Sequence, residues 1–127
     1  MAIELNHTIV HVKDKEESAA FFTRIFGLPD AVPFSVFLGV EVSNRVTLDF
    51  HGPFDEVSPT HYAFLVTEDE FDEIFGRIED SELTYWADPA LAQAGEINHH
   101  DGGRGVYFLE PSGHLLEIIT RPYGSGS

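Results

Sequence analysis

An internal repeat is the feature that most constrains this chain. His7 and His61 lie 54 residues apart (61 − 7), and each is followed five positions later by a valine, Val12 and Val66. Each pair sits in a run that reads as a strand, IELNHTIVHV over 3–12 and THYAFLV over 60–66. A helical pattern follows each run, and strand candidates follow each helix. Two copies at so long a period imply a pseudo-symmetric domain, not a solenoid. The expected architecture is α+β, two βαβββ modules of about 3–50 and 60–121.

In the first module, Ala19, Phe22, Ile25 and Phe26 recur at helical spacing over 15–27. Gly27-Leu28-Pro29 ends that helix, because Gly suits a C-cap and Pro cannot continue the ladder. Strands are expected at 34–40 and 45–50, joined at Ser43-Asn44; one between Pro29 and Phe34 is the least defined. Residues 51–59, HGPFDEVSP, read as a linker. In the second module, Thr67 and Glu70 have capping-box spacing. Phe71, Ile74, Phe75 and Ile78 give the helix over 68–79 its apolar face. A short strand at 84–87, a long loop at 88–104 and a hairpin around Pro111-Ser112-Gly113 complete the module. The end, 122–127, reads as a flexible tail.

Composition narrows the partners. Twenty-two acidic residues against 7 basic ones give a net charge of −15. That charge disfavours nucleic acid and anionic membranes, and attracts cations and divalent metals. The absence of cysteine excludes disulfides and thiolate chemistry. The start, Met1-Ala2-Ile3-Glu4-Leu5, lacks the pattern of a signal peptide, so a cytoplasmic protein is expected.

Three side chains stand out chemically. His7 and His61 occupy matching points of the repeated strand. Glu117 interrupts an apolar run, Leu115-Leu116-Glu117-Ile118-Ile119. Burying a carboxylate unpaired is costly, and no Lys or Arg is placed to neutralise it. Two imidazoles and one carboxylate are a ligand set for a first-row divalent metal with open positions.

The motifs Leu5-Asn6-His7, Thr60-His61-Tyr62-Ala63-Phe64 and the run Val106 to Glu117 (VYFLEPSGHLLE) resemble the vicinal oxygen chelate superfamily of glyoxalases, bleomycin resistance proteins and extradiol dioxygenases. The resemblance spans about residues 3–121. It implies modules that curl into half-barrel cups around a metal (Fe, Mn, Zn, Ni or Co) held by His7, His61 and Glu117. It also implies a homodimer in which two chains complete each cup, acting on a small substrate with vicinal oxygens.

The branches differ in their further residues. Glyoxalase I members use a fourth ligand near the end of the first module. Aligning the turn Ser43-Asn44 with Ser112-Gly113 sets Leu48 opposite Glu117. Asp49 then faces the other side, unless a bulge shifts the register. Three protein ligands are therefore expected. Fosfomycin-modifying thiol transferases carry a lysine after the tryptophan of the second module, and this chain has no lysine after Lys15. Extradiol dioxygenases share the C-terminal pattern. In that reading His99 or His100 contacts substrate oxygen or moves protons, and Tyr107 hydrogen-bonds the substrate. Bleomycin-type proteins sequester drugs without turnover. Trp86 beside Tyr85 is the best aromatic pair to line a pocket. His11 is placed as a second-layer residue near His7, and His51 and His114 as surface residues at strand ends.

Overall fold

The computed structural model describes residues 2–126. The chain divides into two compact units, 1–58 and 59–127. Each has the βαβββ order that the repeat predicts. Unit 1 contains β1 (His7–His11), α1 (Lys15–Phe26), β2 (Val32–Phe34), β3 (Phe37–Glu41) and β4 (Thr47–His51). Unit 2 contains β5 (His61–Leu65), α2 (Glu68–Asp80), β6 (Tyr85–Trp86), a short 3-10 turn (His100–Gly102), β7 (Gly105–Leu109) and β8 (Leu115–Ile119).

Each unit holds a four-stranded mixed sheet of one topology. The orders are β1-β4-β3-β2 and β5-β8-β7-β6. The first strand pairs parallel with the last, and the other pairings are antiparallel. One face of each sheet carries the helix. In unit 1, Phe22 of α1 meets Phe50 of β4, with Val10, Val12 and Ile25 buried around them. In unit 2, Phe71, Ile74 and Ile78 of α2 are buried with Phe108, Leu116 and Ile118 of the sheet. Strand side chains alternate, so His7, Asp49, His61 and Glu117 point away from the helices.

The helix ends follow the sequence signals. Thr67 and Glu70 form the reciprocal capping box, and Gly27 closes α1 with a left-handed φ of 68°. The start of α1, which the sequence does not mark clearly, is capped by Asp14, whose side chain accepts the Glu17 amide. The strand at 3–12 contracts to His7–His11, the five residues in register with β4. The weakly signalled β2 does form, as an exposed edge strand. At the end of the chain, the Gly124 and Gly126 amides donate to the Asp101 carboxylate.

The expected register of Asp49 is off by one. His7 pairs with Thr47 as His61 pairs with Leu115, so Asp49 stands two residues beyond its partner as Glu117 does. Both hairpins span the same number of turn residues. Val42 and Val46 share the backbone bond that Glu110 and His114 share. Arg45, at φ 68°, takes the place of Gly113, at φ 97°. Asn44 is the residue type that favours a left-handed position, and it draws the alignment one place too early. Asp49 is the counterpart of Glu117 with no bulge required, and Leu48 faces the helix side.

Candidate active site

In unit 2 the parallel pairing of β5 with β8 brings His61 beside Glu117. The His61 Nε2 lies 3.0 Å from Glu117 Oε1, and its Nδ1 lies 3.1 Å from the Leu115 carbonyl oxygen. A carbonyl only accepts, so Nδ1 carries a proton. A neutral ring then turns the lone pair of Nε2 toward a carboxylate. Two lone pairs at that distance repel unless positive charge lies between them, as a proton or as a metal ion. The carbonyl fixes the tautomer in the way that metal-bound histidines are fixed. The imidazole and carboxylate donors thus suit a first-row divalent metal. The His61 side chain is 45% exposed and that of Glu117 is 13% exposed, so the pair is reachable from solvent.

Tyr107 completes this group. It stands opposite Glu117 across β7 and β8, and its ring stacks near His61 with centroids 5.9 Å apart. Burial, then the charge of the Glu117 carboxylate and the hydrogen bond it accepts, together push the hydroxyl pKa up to about 12. Tyr107 is therefore a neutral donor at physiological pH, not a base. Trp86 pairs with Tyr107 across β6 and β7 and shares its face. Its neighbour Tyr85 turns to α2 and meets Phe75 edge-on, which removes it from the expected aromatic pair.

His7 lies in unit 1. Its Nδ1 is 2.7 Å from the Asn6 side-chain oxygen, which again leaves Nε2 as the electron-pair donor. It borders a cleft of about 570 Å³ together with Asp30, Phe34, Gly39, Glu41 and Asp49, and no Lys or Arg lines that cleft. Among the described residues, no three His, Asp or Glu side chains gather into a cluster able to hold a metal. His99 and His100 are exposed on the 88–104 loop, where the His100 amide donates to the Asn98 side-chain oxygen.

Three other histidines are placed differently from expectation or add detail. His114 is 2% exposed, not a surface residue. Its Nδ1 accepts the Thr60 amide, and its ring meets Tyr62 edge-on. His51 is half-buried in an aromatic group with His11, Phe37 and Phe54. His11 belongs to that group as well, with its ring 4.9 Å from that of Phe54.

Two further residues escaped the sequence reading. The buried Glu110 carboxylate accepts the Ser112 and His114 amides at 2.6 and 3.1 Å. The EPSGH run is thus a scaffold for the turn into β8. Arg104 pairs with Glu68 and Asp72, each at 2.8 Å, and its guanidinium lies over the Phe71 ring. It fixes the entry to β7 against α2. The signal for Arg104 lay in complementary charge, which spacing alone does not resolve; Glu110 is held by backbone amides, which leave no mark in the sequence.

Comparison with known proteins agrees with this fold. The chain is 58% identical to Oxidase ChaP-H1, covering 97% of this chain and 99% of that one, with a TM-score of 0.94. It is 55% identical to Oxidase ChaP-H2 over the full length of both, with a TM-score of 0.96. Glutathione transferase FosA of Serratia marcescens is 28% identical over 93% of this chain and 81% of that protein. No family model matches. Fold, motifs and relatives together define a protein of the vicinal oxygen chelate superfamily. Within it, the chain belongs to the family of ChaP-H1 and ChaP-H2.

Proposed function

We propose that this protein is a divalent-metal-dependent oxidase of a small molecule bearing vicinal oxygens. The observation that carries the reading is the His61–Glu117 pair, preset by Leu115 for a cation, in a chain 58% identical to an oxidase over nearly its whole length. His7, His61 and Glu117 are the proposed ligands. The metal, when bound, supplies Lewis acidity that stabilises negative charge on the chelated oxygens. The residues of the chain do the rest. Leu115 and Asn6 hold the two imidazoles in the donating tautomer. Tyr107 holds its proton on Glu117 and orients that carboxylate. His99 and His100, exposed on the loop, are the proposed groups that meet substrate oxygen or move protons.

We further propose a homodimer and a cytoplasmic location. The resemblance supports the first and the absence of cysteine is compatible with the second. Among the described residues no helix is long and apolar enough to cross a membrane. A dioxygenase that puts both atoms of O2 into the product is one form of the oxidase reading. A glyoxalase-like lyase and a drug-sequestering binder are its rivals.

Metal analysis of the purified protein tests the reading. Stoichiometric metal is expected, with at least tenfold weaker binding in His61→Ala and in Glu117→Gln. Oxygen uptake on a catechol panel then separates the oxidase from the lyase. Retention of metal by both variants, or its absence from the wild type, overturns the assignment. Tight binding of a cationic antibiotic that survives His61→Ala supports sequestration instead.

A further inference from the structure

The 88–104 loop has little regular structure, yet it is tied at both ends. Asp88 accepts the Ala92 and Gln93 amides at 3.0 and 2.8 Å. At the far end the Asp101 carboxylate accepts the Gly124 and Gly126 amides. His99 and His100 come just before Asp101, and Asn98 comes just before them. Asn98 is bonded through both its backbone and its side chain. Its backbone amide donates to the Gly105 carbonyl at 2.9 Å, and its carbonyl accepts the Gly105 amide at 3.0 Å. Its Nδ2 donates to the Ala87 carbonyl at 2.9 Å, and its Oδ1 accepts the His100 amide at 3.3 Å. A carboxylate in its place could accept from His100 but could not donate to Ala87.

Gly105 makes room for this group. It precedes Tyr107 by two residues, about 7 Å along β7, so both positions point to the face that holds Glu117. A Cβ on Gly105 would stand 2.8 Å from Asn98 Oδ1 and 3.0 Å from Nδ2. The Asn98 amide group therefore fills the side-chain place beside Tyr107 on that face. We propose that Asn98 is a positioning residue: it pins the loop to the sheet face of Tyr107 and Glu117, through the gap left by Gly105, and so sets where His99 and His100 stand. The inference rests on the oxidase reading, in which those histidines meet substrate oxygen or move protons. Exposed loop residues are ordinarily mobile. Here the backbone is held on both sides of the pair, at Asn98 and at Asp101. The two imidazoles are thus placed before substrate arrives, and less entropy is lost in reaching the reactive geometry.

The test uses the full-length protein, with nitrogen-15 relaxation and oxygen uptake on catechol as the two readouts. In wild type the His99 and His100 amides are expected to be rigid, with order parameters of about 0.85. Asn98→Ala and Asn98→Asp should lower them toward about 0.6, with circular dichroism and metal stoichiometry unchanged. Both should lower kcat about tenfold and leave KM within about twofold. Gly105→Ala, whose methyl displaces the Asn98 amide, should do the same and add nothing in an Asn98→Ala background. In a His99→Ala/His100→Ala background, Asn98→Ala should cost no further rate. Rigid amides in Asn98→Ala overturn the proposal. So does metal loss in that variant, a rate loss that falls wholly on KM, or one that persists undiminished without the two histidines. If wild type consumes no oxygen, the oxidase reading fails and the order parameters alone decide: a turn that Asn98→Ala loosens upholds the proposal, and one that it leaves rigid overturns it.

Discussion

The turn between β7 and β8 is built around a buried carboxylate, whereas the turn between β3 and β4 is built around two valines. Glu110 gathers the Ser112 and His114 amides, and His114 in turn takes the Thr60 amide. At the matching places unit 1 carries Val42 and Val46, which share only the backbone bond. The backbone paths agree down to the left-handed residue, Gly113 in one and Arg45 in the other. Hairpin hydrogen bonds therefore set the path, and side chains decide how firmly it is held. The polar turn is held at several points, so each of them is exposed to loss; the apolar turn rests on its backbone bonds and the burial of Val46.

The largest break in this comparison is expected from Glu110→Ala. Two amides lose a charged acceptor in a buried place, and unfolding stability should fall by about 3 kcal/mol in urea titration. The matching change, Val42→Ala, should cost about 1 kcal/mol. His114→Phe keeps the volume but strands the Thr60 amide, and a loss of about 2 kcal/mol is expected by the same measurement.

High pH sharpens the contrast between the two cups. The Tyr107 pKa is raised above its unfolded value of 10.0, to about 12, by burial and by Glu117. A group whose proton is held more tightly in the folded state stabilises that state fully below pH 10. The contribution is lost as pH rises toward 12. Tyr107→Phe should flatten that part of the stability profile, and ultraviolet titration at 295 nm should lose its last-ionising tyrosine. Unit 1, with Gly39 in this place, offers no such step. The smallest effect belongs to Arg45→Gly, which relieves a left-handed side chain and should stabilise by about 0.5–1 kcal/mol. Gly113→Ala should destabilise by a similar amount. A neutral Arg45→Gly would show that the two turns differ in more than their caps.

Most of the fold was legible in the sequence because apolar spacing and caps are local signals. The repeated helices, the Thr67–Glu70 box and the βαβββ order all follow from residues close in the chain. The meeting of His61 with Glu117 was legible too, because a carboxylate in an apolar strand needs a partner, whereas Tyr107, expected to hydrogen-bond the substrate, bonds Glu117. Register was not legible. It rests on one left-handed residue, and a surface Arg45 gives no compositional hint of that conformation. Asp49 was misplaced for this reason alone. His114 was misread because its burial comes from Thr60 and Glu110, which approach it through sheet pairing and a turn.

The parallel closure of β5 on β8 also bears on how the protein matures. His61 and Glu117 meet across 56 residues of chain, through the first and last strands of their unit. Closing so long a loop loses entropy before any contact returns it, and such pairings slow folding. The imidazole and carboxylate therefore come together late. On the proposed metal reading, a chain that has not finished folding would offer the cation only isolated, weak ligands, so metal capture would report a completed module.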